Sequence, residues 1–247
     1  MSDAMWAGTV SLAGHDGDEI EAYLARPEDA APRGGMVVIH HLPGYDAATK
    51  EITRKFAANG YLAVCPNLYS RDAPGAEPDD AAALVRAAGG VPDERLVGDV
   101  AGAAEYLKAL PNSNGKVGVI GYCSGGRQSF LSAVSLKLDA AVDCYGAFVV
   151  GDPPSGMTLR VTPLLDRAGD LSCPLLGLFG QEDSHPSPEQ MAQLSAELDR
   201  HGKEYEFHFF SGAGHAFFAT DRPADRPQAA VEGWRYIFAF LGKHLEA

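Results

Sequence analysis

Long apolar runs, paired cysteines and any excess of positive charge are missing from this sequence, and each absence closes off a class of function. No uninterrupted apolar stretch approaches the roughly 20 residues that span a bilayer. Lysine and arginine number 20 against 33 aspartates and glutamates, a formal net charge of −13. Nucleic acid and anionic membranes are held by clustered cations, so neither is expected as a partner. The four cysteines, Cys65, Cys123, Cys144 and Cys173, show neither CxxC spacing nor the density of a disulfide scaffold. Cys65 and Cys144 lie in apolar, strand-like runs, and Cys173 precedes Pro174 at the mouth of another. The opening Met1-Ser2-Asp3-Ala4-Met5 lacks the basic start and apolar centre of a signal peptide, so a soluble cytoplasmic protein is expected.

What is present is enough for a large core, since 46% of the 247 residues are hydrophobic. Residues 1–247 read as one domain. The start suggests an antiparallel hairpin, Gly8–Leu12 and Glu19–Leu24 around the turn-prone His15-Asp16-Gly17-Asp18. Short continuous apolar runs then alternate with helix-like segments. The runs are Met36–His40, Tyr61–Cys65, Lys116–Ile120, Asp139–Tyr145, Pro174–Phe179 and Tyr205–Phe210. The helical patterns cover Ala47–Asn59, Asp79–Ala88, Asp93–Leu110, Arg127–Leu138, Pro186–His201 and Arg226–Leu245. Strands apolar on both faces and separated by helices imply βαβ units and a mostly parallel central sheet with helices on both faces. Phe148–Ser172, with Pro153-Pro154 and Thr162-Pro163, is the least regular stretch and reads as a lid or pocket wall, or as a plain surface loop with a short helix.

One motif organises the rest. Gly121-Tyr122-Cys123-Ser124-Gly125-Gly126 sits between the Lys116–Ile120 strand and a helix, the pattern of a nucleophile elbow with cysteine in the reactive place. A sharp strand-to-helix turn tolerates only small neighbours, and the helix N-terminus beside the sulfur favours a thiolate. A thiol nucleophile needs a base, and the base needs an orienting acceptor. Elbow enzymes supply these in the chain order nucleophile, acid, histidine. After Cys123 the loop following one strand carries Glu182 and Asp183, and the loop following the last strand carries His215. Asp183 and His215 are the simplest partners, with Glu182 able to replace Asp183.

Together with Cys65-Pro66-Asn67-Leu68-Tyr69-Ser70-Arg71, Gly180–Asp183 and Gly212-Ala213-Gly214-His215, the elbow motif resembles the dienelactone hydrolase (carboxymethylenebutenolidase) family of the α/β-hydrolase superfamily. The resemblance implies an α/β-hydrolase fold, Cys123 as nucleophile, His215 as base and Asp183 as acid. It also implies an oxyanion hole from the backbone N–H groups of Leu42 and Ser124, with Gly44 letting the first loop come close. The reaction implied is hydrolysis of a small ester or lactone through an acyl-cysteine, with no metal or organic cofactor. His41, Tyr69, Arg71, Tyr145 and Phe217 are the residues expected at the substrate pocket.

Three positions differ from the family pattern. His40-His41 stands where the family has His-Glu, and a protonated His41 could pair with the thiolate. Ala219 stands where a substrate-binding arginine is expected four residues after the histidine, with Arg222 nearby. No arginine opens the Asp79–Ala88 helix, Arg71 and Arg86 being the nearest cations. Neutral esters are therefore expected to outcompete carboxylate-bearing lactones. A zinc site among His40, His41, Asp183, His185 and His215 is not expected, because adjacent strand residues point to opposite faces. The competing readings are a thioesterase or acyltransferase of the same fold, a non-catalytic ligand-binding protein, or a thiol redox sensor. Monomer and small homo-oligomer both remain open.

Overall fold

The computed structural model describes residues 4–41, 44–220 and 222–246. Strands β1 (Met5–Ala13) and β2 (Glu19–Pro27) form the expected hairpin, β1 longer at both ends and β2 at its C-terminal end than the alternation indicated, with Leu12 opposite Ile20. Asp16 (φ 55°) and Gly17 (φ 79°) turn the chain between them. Then follow β3 (Arg33–Ile39), α1 (Ala47–Ala58), β4 (Leu62–Pro66), α2 (Pro78–Ala87), α3 (Asp93–Lys108) and β5 (Ser113–Tyr122). The remainder is α4 (Ser124–Ala133), β6 (Ala140–Cys144), β7 (Leu175–Gly180), α5 (Pro188–Arg200), β8 (Tyr205–Phe210) and α6 (Pro227–Leu245).

All eight strands join one sheet in the order β1-β2-β4-β3-β5-β6-β7-β8. β2 meets β4 antiparallel, and from β4 to β8 every neighbouring pair is parallel. Successive strand residues bury into two different cores. Val37, Ile39, Val117 and Val119 face Leu96, Leu107, Phe130 and Leu194 of α3, α4 and α5. Met36, Val38, Ile120 and Val142 face Phe56 of α1 and Ile237 and Leu241 of α6. This two-sided burial is why the strands read as continuous apolar runs.

From β3 the chain moves one way to β4, whereas β5 lies on the other side of β3. Parallel sheets place their ligand crevice at such a reversal, outside the strand C-termini. His40 and His41 leave β3 there, and Cys123 leaves β5 beside them.

One helix begins where propensity argues against it. The sequence pattern starts a helix at Arg127, after the glycines, but α4 starts at Ser124 and ends at Ala133. Glycine costs a helix about 1 kcal/mol per residue relative to alanine. Tertiary contact overrides that cost: a Cβ on Gly125 would lie 2.8 Å from the Ile39 carbonyl oxygen, and one on Gly126 2.4 Å from Asp143 Oδ1.

Candidate active site

Cys123 is the N-cap of α4 and adopts φ 55°, ψ −120°, a conformation costing on the order of 1–3 kcal/mol. Its N–H donates to the Cys144 carbonyl at 3.0 Å, and its own carbonyl accepts from Gly126 N–H at 3.0 Å. The turn is tight enough that a Cβ on Gly121 would come 1.9 Å from the Gly125 oxygen. Small residues are therefore required on both sides of the sulfur. Ser124 is the first residue of α4, so its N–H has no acceptor within the helix and is available beside the thiol. The other N–H implied for an oxyanion hole, that of Leu42, lies outside the described residues.

The loops after β7 and β8 are joined by their backbones, Gln181 N–H donating to Phe210 O and Glu182 N–H to Ala213 O, each at 3.0 Å. That seam brings His215 Nδ1 to 2.8 Å from Asp183 Oδ2, while Asp183 Oδ1 accepts the His185 N–H at 2.9 Å. Asp183 is buried and both its oxygens are satisfied, whereas Glu182 is exposed. Of these two carboxylates it is Asp183 that contacts His215. Burial works against protonation of His215, yet hydrogen bonds to Asp183 and Cys123, with their charges, push its pKa up to about 10. His215 and Asp183 are thus paired side chain to side chain, with Cys123 close enough to act on the imidazole.

The remaining predicted residues divide. Tyr69 is buried at the cavity beside Cys123, and burial pushes its hydroxyl up to about 12. Gly44 (φ 114°) brings its loop against that ring: a Cβ there would sit 2.6 Å from Tyr69 Cε2. Tyr145, at φ 45°, lies edge-on to His215 with ring centroids 5.2 Å apart. His41 is half-buried one residue past His40. His40 is a core residue whose Nε2 accepts the Leu68 N–H at 3.2 Å, and burial pushes it down to about 4.

Two pocket expectations are corrected. Arg71 does not face the cavity; its guanidinium grips the fully buried Asp99 through two 2.9 Å bonds and Asp18 through one of 2.8 Å. Phe217 is completely buried in an aromatic layer with Phe210 and Phe218, ring centroids 5.0 and 4.7 Å away, so no substrate touches it. No group of three or more His, Cys, Asp or Glu among the described residues could hold a metal ion. No helix among them is long and apolar enough to cross a membrane.

A cavity of about 360 Å³ opens beside Cys123 and Ser124. Its lining includes the end of α2 and the turn after it, with Val85, Arg86 and Val91, and residues of the 156–161 segment, which packs against that end. That segment lies within the irregular stretch singled out in the sequence, and it is tied down. Thr158 Oγ1 donates to Arg86 O at 3.1 Å, and Arg160 N–H to Gly89 O at 2.8 Å.

The model described as Dienelactone hydrolase family matches residues 20–245. The chain belongs to this family. A relative from Escherichia coli (strain K12), named "Putative carboxymethylenebutenolidase", is 31% identical over 248 residues, covering 98% of this chain and 89% of its own. A Bradyrhizobium sp protein, named "Probable 2-oxo-3-(5-oxofuran-2-ylidene)propanoate lactonase", is 28% identical and covers 94% of this chain and 92% of its own. A solved structure described as a "Putative Dienelactone Hydrolase" from Klebsiella pneumoniae superposes with a TM-score of 0.85 at 27% identity, covering 98% of this chain and 100% of that one. The family member described here is accordingly a hydrolase acting on ester bonds, built on the α/β-hydrolase fold.

Sequence reading passed over one pair at the site. Arg127, buried in α4, is held by both oxygens of Asp93 at 2.9 Å and donates to the Thr162 carbonyl at 2.7 Å. Both partners line the cavity. Their 34-residue separation leaves no signal in the sequence beyond opposite charge.

Proposed function

We propose that this hydrolase cleaves a small carboxylic ester or lactone through an acyl-Cys123 intermediate, with His215 moving the proton and Asp183 holding the imidazole. The observation that carries the reading is the 2.8 Å contact between His215 Nδ1 and Asp183 Oδ2, in an imidazole that lies close enough to Cys123 at the strained elbow for the thiol to act on it. Nδ1 bonded to a carboxylate leaves Nε2 to face the sulfur, the orientation a general base needs. The thiolate attacks the carbonyl carbon, and the oxyanion is met by the Ser124 N–H and by the dipole of α4. One preorganised donor of this kind is worth about 3 kcal/mol of barrier in comparable sites. His215 then delivers its proton to the departing oxygen. Water, activated by the same imidazole, releases the acid and restores the thiol.

Neutral esters are proposed to be better substrates than carboxylate-bearing lactones. Of the two arginines at the cavity, Arg127 is neutralised by Asp93 and Arg86 stands exposed at the edge. The test is to trap the acyl-enzyme from p-nitrophenyl acetate by acid quench and intact-mass spectrometry. The expected result is a mass increase of one acetyl group, mapped to Cys123 and missing from Cys123→Ala. Turnover with no adduct on Cys123, or an adduct that survives in Cys123→Ala, would count against the mechanism. Efficient turnover of a dienelactone alongside weak turnover of the acetate would remove the substrate preference.

A further inference from the structure

We infer that the cavity beside Cys123 is an acyl-chain pocket, so that this hydrolase selects for a medium-length apolar acyl group and is nearly indifferent to the length of the alcohol. The inference rests on the acyl-Cys123 reading and deepens it.

Direction comes from the geometry of the triad. When the thiolate forms its C–S bond and the ester C–O bond breaks, the departing alkoxide must take a proton from His215. The leaving oxygen therefore lies on the His215 side of the sulfur. His215 is not among the residues lining the cavity, whereas Cys123, Ser124 and Gln128 are. The two sides of the tetrahedral carbon are thereby separated: alcohol toward the β8 loop, acyl group toward α2 and residues 156–161. Water later attacks the thioester, the C–S bond breaks, and a free carboxylic acid leaves.

The chemistry of the walls names the acyl group. Val85, Val91, Phe148, Met157, Leu159 and Val161 supply apolar surface to the lining. Of the two arginines that line it, Arg127 is spent on Asp93 and the Thr162 carbonyl, and Arg86 is exposed. The space is about 360 Å³, within the range of about 300–1,000 Å³ usual for small-molecule pockets. An acetyl methyl, about the roughly 30 Å³ share of one water, leaves most of it unfilled. The 156–161 part of the lining is also preformed, pinned to the α2 end by Thr158 and Arg160 and, through the adjoining Thr162, to α4 by Arg127. A chain entering it meets a built surface without first ordering a loop, and that ordering cost is what weakens binding to mobile segments.

The experiment measures kcat/KM of the wild-type chain on two series. One is p-nitrophenyl acetate, butyrate, hexanoate and octanoate, in which only the acyl group grows. The other is ethyl, butyl and hexyl acetate, in which only the alcohol grows. Complete burial of a methylene corresponds to about fourfold. We expect a rise of at least about tenfold from acetate to hexanoate, and a change under about threefold along the alkyl acetates. In Leu159→Trp, which fills the cavity from a half-buried position, the hexanoate-to-acetate ratio should fall at least about fivefold. Equal gains in both series, a gain in the alcohol series alone, or a flat acyl series would each overturn the inference while leaving acyl-Cys123 intact. An unchanged ratio in Leu159→Trp would overturn it as well. Absence of turnover on every ester would take down the ester-hydrolase reading together with it, and is thus distinct from the other failures.

Discussion

Arg71 shows how one side chain can be misread from its neighbours in sequence. It follows Tyr69 in a family-like stretch, and a cation beside a pocket tyrosine suggests a substrate anchor. The folded chain turns it the other way, onto Asp99, which is wholly buried and also accepts the His15 N–H at 2.9 Å. Removing one partner of a buried ion pair leaves an uncompensated charge, a loss of about 3–5 kcal/mol. Arg71→Ala should therefore lower stability by roughly that amount in urea melts while leaving KM for p-nitrophenyl acetate within about twofold. A raised KM with unchanged stability would return Arg71 to the substrate. The contrast with Asp183 is instructive. Its place after a strand, ahead of His215 in chain order, points to it from the sequence, and in the folded chain it contacts His215 while Glu182 is exposed.

At the scale of elements, the elbow depends on backbone approach. β5 and α4 meet so closely that Gly121 and Gly125 touch, and no side chain fits between them. Gly121→Ala places a methyl 1.9 Å from a backbone oxygen that cannot swing away. Overpacking of this kind costs typically about 1–3 kcal/mol, and here the upper end or beyond is expected. In α6 the opposite holds: a Cβ on Gly242 meets nothing nearer than 3.6 Å, an ordinary contact with Glu246. Gly242→Ala should therefore stabilise by about 0.5–1 kcal/mol through helix propensity. Calorimetry should show Tm falling by several degrees in the first variant and rising by about 1–4 °C in the second. Equal shifts would mean that the elbow relaxes more readily than its packing indicates.

For the whole molecule, the buried groups act together on the dependence of stability on pH. Burial pushes Asp143 up from 3.8 to about 7, although its Oδ1 accepts the Gly146 N–H at 2.7 Å. His215 is raised from 6.5 to about 10. In both cases the folded state holds a proton that the unfolded state has released, between pH 4 and 7 for Asp143 and between pH 6.5 and 10 for His215. Buried His40, pushed down from 6.5 to about 4, acts in the opposite sense and offsets Asp143 up to about pH 6.5. Stability falls with rising pH wherever the folded state binds more protons. The contribution of His215 is thus complete below about pH 6.5 and lost through pH 10. Burial also raises the pKa of Tyr69, and a net charge of −13 adds self-repulsion as pH climbs. The carboxylates whose pKa is lowered, such as the half-buried Asp29 and Glu197 and the exposed Glu204, lie at the surface in solvent-screened ion pairs and weigh little. Tm measured from pH 4 to 10 should peak on the acid side of neutrality and decline steadily above it; a maximum above pH 8 would contradict this account.

Sequence alone determined the succession of strands and helices, because parallel strands buried on both faces must be continuously apolar and helices must show a 3.6-residue period. It also determined the order Cys123, Asp183, His215, because each residue follows its own strand and all the strands point one way. Helix boundaries at Gly125 and Gly126, the burial of Phe217, the capture of Arg71 by Asp99 and the pairing of Arg127 with Asp93 were decided only by the tertiary structure. Each depends on atoms from segments far apart in the chain approaching within a few ångströms. Local propensity carries no information about such contacts, and the acyl-side cavity beside Cys123 is made of them.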